Sequence, residues 1–186
     1  MTGNISVKKL GGNKMQTNTQ TKVGSIIQFG GQNWRVLEQK DENLLILLEN
    51  VTPPAIYHLG GAELHTWEIS DARKYLNGDF LNHFADTDRA RINETDIVNE
   101  DNPLYGKTGR MNNTKDYIFL LSLDEVLKYF GDSGHVAKNK NKREKVGLVK
   151  DEYSVHRKAL SQNGEPVSWW LRTIGDLVQQ DEINTP

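Results

Sequence analysis

Residues 23–50 read VGSIIQFGGQNWRVLEQKDENLLILLEN. Two apolar stretches meet at Gly30-Gly31, a pair suited to a two-residue hairpin turn whose central residues take positive φ. Ile26, Ile27 and Phe29 precede the turn, and Trp34 and Val36 alternate with polar residues after it. The segment KDEN then turns the chain into LLILLEN, an uninterrupted apolar run of the kind a sheet buries on both faces. The stretch predicts a three-stranded antiparallel meander.

Downstream, VTPPAIYHLGGAEL (51–64) is broken by Pro53-Pro54 and Gly60-Gly61 and reads as loop. TWEISDARKYLNGDFLNHF (66–84) reads as a helix with Ser70 as N-cap. Ile69, Ala72, Leu76, Phe80 and Phe84 recur on its apolar face, with Trp67 as a hydrophobic staple. A second short helix opens at Asp86 or Thr87, and the Asn- and Gly-rich residues 98–116 form a long surface loop. YIFLLSLDEVLKYFG (117–131) combines a buried strand with a Ser122/Glu125 capping box, a helical face of Leu123, Val126, Leu127 and Phe130, and Gly131 as a stop. Residues 135–154 form an exposed excursion carrying a basic run, and SVHRKAL adds a short strand or helix. VSWWLRT (167–173) is expected as a strand, because aromatic and β-branched residues suit a half-buried pleat. Alternation would set Val167, Trp169 and Leu171 on one face and Ser168, Trp170 and Arg172 on the other. Residues 1–22 are polar and read as a disordered leader, with Met15 an alternative start, so that 23–186 make one domain.

The chain of 186 residues carries a formal charge of −2 and 36% hydrophobic residues. A domain of this length buries roughly 70% of its unfolded surface, enough for a core without staples. The charge gives no global reason for nucleic acid or an anionic membrane as partner. There is no cysteine, which excludes disulfides, thiolate nucleophiles and redox motifs. The histidines are scattered without metal-ligand spacing, so neither a metal nor a cofactor is expected. No phosphate-binding or nucleophile-elbow motif is present. With neither an apolar span nor a secretory h-region, the location expected is the cytoplasm, although attachment to a larger surface protein is compatible with the sequence.

Four groups of residues invite a functional reading. Trp169 and Trp170 could offer a stacking platform, but a strand in a sheet usually gives one such face to the core. Arg172 could hold a carboxylate of a ligand, or clamp a loop or helix C-terminus within the fold. Asp116 could bind a cation, or close a turn. Lys138, Lys140, Lys142, Arg143 and Lys145 form an anion-binding candidate at 138–145, or a solvated loop.

The motifs GSIIQFGGQNWRVLE, TWEISDARKYLNGDFLNHF, IFLLSLDEVLKYF and SWWLRT, in this order, resemble the bacterial family known as domain of unknown function 6273, from about Val23 to Ile183. By fold-level analogy, that resemblance implies a C-type-lectin-like or formylglycine-generating-like α+β domain, with a small irregular antiparallel sheet and two main helices. It also implies a closing strand beyond the W-W-L-R segment. Here DLVQQDEINTP matches the preceding hairpin loosely, so the closing strand is expected to be missing. The edge it leaves would be covered by the leader, by a loop, or by a second copy of the chain. The formylglycine chemistry needs cysteines and is excluded. The reading favoured is a non-enzymatic module for a protein or carbohydrate ligand met around the W-W-L-R segment. The alternatives are a hydrolase-type site of Asp116, His156 and Arg172, and a phage-encoded inhibitor or nucleic-acid binder using the basic loop.

Overall fold

The computed structural model describes residues 3–8, 21–50, 66–102, 111–133, 151–161 and 163–174. The meander forms as the sequence predicts: β2 (Ile26–Phe29), β3 (Gln32–Lys40) and β4 (Asn43–Leu48) pair antiparallel in succession. Gly30 and Gly31 have φ of 56° and 74°, and Asp41 in the second turn has φ 51°. An added Cβ at Gly30 would lie 2.4 Å from the Phe84 ring, so glycine is required there by space as well as by backbone.

The leader departs from expectation. Asn4–Lys8 form a strand, β1, that pairs antiparallel with β4 on one side and with β7 (Ile118–Phe119) on the other. The sheet order is β2-β3-β4-β1-β7, so β1 is interior. Ile5 lies between Ile46 and Ile118, and both Ile5 and Val7 are buried. Those two side chains, rather than the polar average of the first 22 residues, decide the local structure. Residues 175–186, on which the expected absence of a closing strand rests, lie outside the described residues.

One face of the sheet, with Ile5, Trp34, Val36, Ile46 and Leu48, packs against the helical segment. Its first turn is a 3-10 turn at Trp67–Ile69. Helix α1 (Asp71–Tyr75) follows, capped by Ser70, whose Oγ accepts from Arg73 N, and it continues as a π-helical turn over Leu76–Phe80. Ala72, Leu76, Phe80 and Phe84 are buried as expected, but Ile69 is 43% exposed because the chain has not yet entered the regular helix there. A short helix α2 (Asp86–Arg89) follows.

The other face carries Leu37 and Leu47 beneath α3 (Leu123–Phe130) and the Trp169 segment. A bulge between Val36 and Glu38 breaks the regular register. It leaves Glu38 opposite Leu45 and turns its side chain toward α3, where it accepts from Lys128 Nζ and Tyr129 OH, both at 2.7 Å. The capping box at Ser122/Glu125 forms, and Gly131, at φ 89°, ends α3.

Two small sheets complete the described structure. β5 (Thr95–Ile97) pairs with β6 (Thr114–Asp116), inside residues expected as helix and loop. β8 (Ala159–Leu160) pairs with β9 (Pro166–Val167). The expected strand over 167–173 is therefore restricted to its start. The burial alternation was read correctly for the apolar set: Trp169 and Leu171 join the second cluster with Val167 against it. Trp170 packs partly buried on the first. With three helices beside antiparallel sheets among the described residues, the fold is of the α+β class.

Candidate functional site

Arg172 is 4% exposed and works as a clamp. Its Nη1 donates to Leu120 O at 2.7 Å and to Glu125 Oε2 at 2.5 Å; Nη2 donates to Glu125 Oε1 at 2.9 Å and to Val98 O at 3.4 Å. Glu125 is also the capping-box glutamate, accepting from Ser122 N at 2.9 Å. Thr173 Oγ1 accepts from Leu123 N at 2.8 Å. Ser122, Glu125 and Thr173 together satisfy backbone donors that the first turn of a helix leaves orphaned. The end of the W-W-L-R segment is thereby bolted to the start of α3.

Asp116, in β6, has a fully buried side chain. It accepts from Trp67 Nε1 at 2.8 Å, Thr114 Oγ1 at 2.6 Å and Arg73 Nε at 2.6 Å. It ties the 3-10 turn and α1 to the small sheet, which accounts for Trp67 more fully than a staple does. Trp169 is 4% exposed, donates from Nε1 to Arg157 O at 3.0 Å and meets Phe130 edge-on. His156 is exposed and lines a cavity of about 680 Å³ bordered by Val23, Val155, Phe130 and Trp169. Asp116 and Arg172 thus keep separate partners, and among the described residues neither shares a hydrogen bond or ion pair with the other or with His156. The basic run Lys138, Lys140, Lys142, Arg143 and Lys145 lies outside the described residues.

The end of the W-W-L-R segment also borders an open cleft of about 580 Å³. Its walls are the β3–β4 turn, β5 with the residues that follow it, the first turn of α3, and Arg172-Thr173. Seven carboxylates line it against two cationic side chains, Lys40 and Arg172. Glu38, Asp96 and Glu125 are paired with Lys128, Lys115 and Arg172. Asp41, Glu100 and Asp124 have no ion pair among the described residues. The rim is reinforced by the latch of Glu38, Lys128 and Tyr129. Hydrogen bonds from Lys128 and Tyr129 hold the Glu38 carboxyl below its usual range, and the Glu38 contact raises Lys128. Burial, followed by the Glu38 hydrogen bond, pushes the Tyr129 phenol up to about 12.

Residues that sequence reasoning did not single out hold the second cavity together. Asp151 and Arg157 pair at 2.6 Å with both side chains buried, and Arg157 Nε donates to Gly131 O at 3.2 Å. Burial would raise the Asp151 carboxyl, but Arg157 and the Ser133 donors override it and hold the group well below the carboxylate range. An acidic and a basic residue six apart near a predicted strand were the only sequence signal available for this pair.

Among the described residues, no group of three or more histidine, aspartate or glutamate side chains could hold a metal ion. No helix among them is long and apolar enough to cross a membrane. Fold and site define an α+β domain with a loop-walled, carboxylate-rich cleft. The chain matches Domain of unknown function (DUF6273) over residues 41–184 and belongs to that family. No curated protein and no solved structure matches it.

Proposed function

We propose that the chain is a non-enzymatic interaction module that receives a cation-bearing segment of a partner protein in the cleft beside Arg172 and Thr173. The observation that carries this reading is the cleft itself, an open cavity of about 580 Å³ whose lining has a surplus of carboxylates. Low-dielectric walls lined by one sign of charge focus the field and draw in ligands of the other sign. Of the residues expected to meet a ligand, Arg172 borders the cleft, whereas Trp169, Trp170 and Asp116 do not line it. Of the two ligand classes expected, a neutral carbohydrate gains little from surplus carboxylates, whereas lysine and arginine side chains gain electrostatic complementarity. The C-type-lectin-like analogy, drawn from the sequence resemblance, lends a binding role fold-level support alone.

Two of the three residues of the hydrolase alternative are taken up by the fold, and the third, His156, is exposed and lines the other cavity. Asp116 holds Trp67 and Arg73, and Arg172 holds Glu125 and two carbonyls. The test is amide chemical-shift mapping with three short unstructured peptides of matched length, one Lys/Arg-rich, one neutral and one Asp/Glu-rich, beside a panel of neutral oligosaccharides. Shifts from the Lys/Arg-rich peptide confined to residues 38–43, 95–101 and 122–125 support the proposal. Equal shifts from all three peptides, or shifts there from an oligosaccharide alone, refute it.

A further inference from the structure

The sequence contains two Asn-Gly dipeptides, Asn77-Gly78 and Asn163-Gly164. Asparagine followed by glycine is prone to spontaneous deamidation, because glycine has no side chain to obstruct attack by its own backbone nitrogen. We propose that Asn163 is a site of non-enzymatic deamidation and isoaspartate formation in the folded protein, and that Asn77 is protected by the fold.

In the reaction the Gly164 backbone nitrogen attacks Asn163 Cγ. A new N–Cγ bond forms, the Cγ–Nδ2 bond breaks, and ammonia leaves with the proton the Gly164 nitrogen gives up. Water then opens the five-membered imide at either carbonyl, yielding aspartate or isoaspartate. No oxidant or further reactant is needed. Asn163 and Gly164 are both exposed, in the turn between β8 and β9. An added Cβ at Gly164 would meet nothing within 4 Å, so the ring has room to close. The Asn163 side-chain amide makes no hydrogen bond among the described residues; its backbone N–H donates to Ser161 Oγ. The Gly164 N–H donates to Ser161 O at 3.0 Å. That bond lies in an exposed turn, so local opening is enough to release the nucleophile.

Asn77 is held at both ends of its amide. Nδ2 donates to Arg73 O at 3.1 Å and to Ile118 O at 2.8 Å, while Oδ1 accepts from Tyr117 N at 2.8 Å and Ile118 N at 3.1 Å. These bonds join the π-helical turn to β7, and the side chain cannot swing onto the Gly78 nitrogen without breaking that joint. The same dipeptide therefore meets two opening costs in one molecule. Isoaspartate at 163 would insert an extra backbone carbon into the turn that leads to the Trp169 segment.

The test is to age the full-length folded protein in mildly alkaline buffer and follow both sites by peptide mass spectrometry with isoaspartate detection. A second sample is aged in strong denaturant. The proposal expects Asn163 to react about tenfold faster than Asn77, or more, in the folded chain, with the two rates converging in denaturant. A variant Asn163→Gln should remove the fast signal and leave the Asn77 rate unchanged. Equal rates at the two sites in the folded chain, or a faster reaction at Asn77, would overturn it.

Discussion

Arg172 donates four hydrogen bonds, two of them to Glu125, 47 residues away in sequence. Truncating it takes a donor from the Leu120 and Val98 carbonyls and leaves the partly exposed Glu125 carboxylate with only its capping-box bond from Ser122 N. Removing one side of a fully buried pair costs roughly 3–5 kcal/mol, and the low end of that range applies here because Glu125 is partly exposed. Arg172→Ala is therefore expected to lower unfolding stability by about that amount in urea titrations, and Arg172→Lys to restore only part of it, since an ammonium lacks the planar fork. A fully stable Arg172→Ala protein would show that the contact is incidental. The clamp role was legible from the residue type. Its target was not, because a local sequence pattern cannot say which of 25 acidic residues comes to meet an arginine. Asp116 illustrates the same limit: it was expected to close a turn, but it stands in β6 and its bonds to Trp67 and Arg73 bridge more than 40 residues.

Elements with a strong local pattern were readable in advance. The Gly-Gly hairpin, the Ser70 cap and the Ser122/Glu125 box each declare themselves within a few residues. β1 does not, since NISVK contains only two apolar side chains and its identity comes from β4 and β7 on either side. β5 and β6 are three residues each, too short for a period to emerge. The W-W-L-R segment was expected as a strand on propensity, but the anchors at Trp169 Nε1 and Arg172 hold it mostly outside a ladder. The interior position of β1 makes Ile5→Ala costly, about 3 kcal/mol for a buried isoleucine. A chain begun at Met15 should lose cooperative unfolding altogether, as followed by circular dichroism; unchanged melting of that truncation would contradict the strand's role.

The latch between β3 and α3 carries a pH signature. Glu38 is held below its ordinary 4.5, so its contribution is complete above that value and is lost as pH falls through the lowered one. Lys128 is held above 10.5, so its contribution is complete below that value and is lost as pH rises through the raised one. Tyr129 is kept neutral by a shift from 10.0 up to about 12, so its contribution fades between those two values. Glu38→Gln should flatten both the acid limb and the alkaline limb of a plot of urea midpoint against pH. Identical limbs in the variant and the parent would exclude the latch as their source.

At the scale of the whole molecule, the cleft was the least legible feature. Its walls come from the β3–β4 turn, β5 and its continuation, α3 and the 172–173 segment, which only the fold brings together. The near-neutral charge of the chain hides the local surplus of carboxylates, because the cationic residues are placed elsewhere in the sequence. The central claim is that this surplus serves recognition. Its most direct test is the affinity for a Lys/Arg-rich peptide across a salt series, comparing the parent with a variant in which Asp41→Asn, Glu100→Gln and Asp124→Asn are combined. Tight, salt-sensitive binding by the parent, and loss of both affinity and salt slope in a variant that melts normally, is the predicted result. Equal binding by the two proteins, or none by the parent, would contradict it.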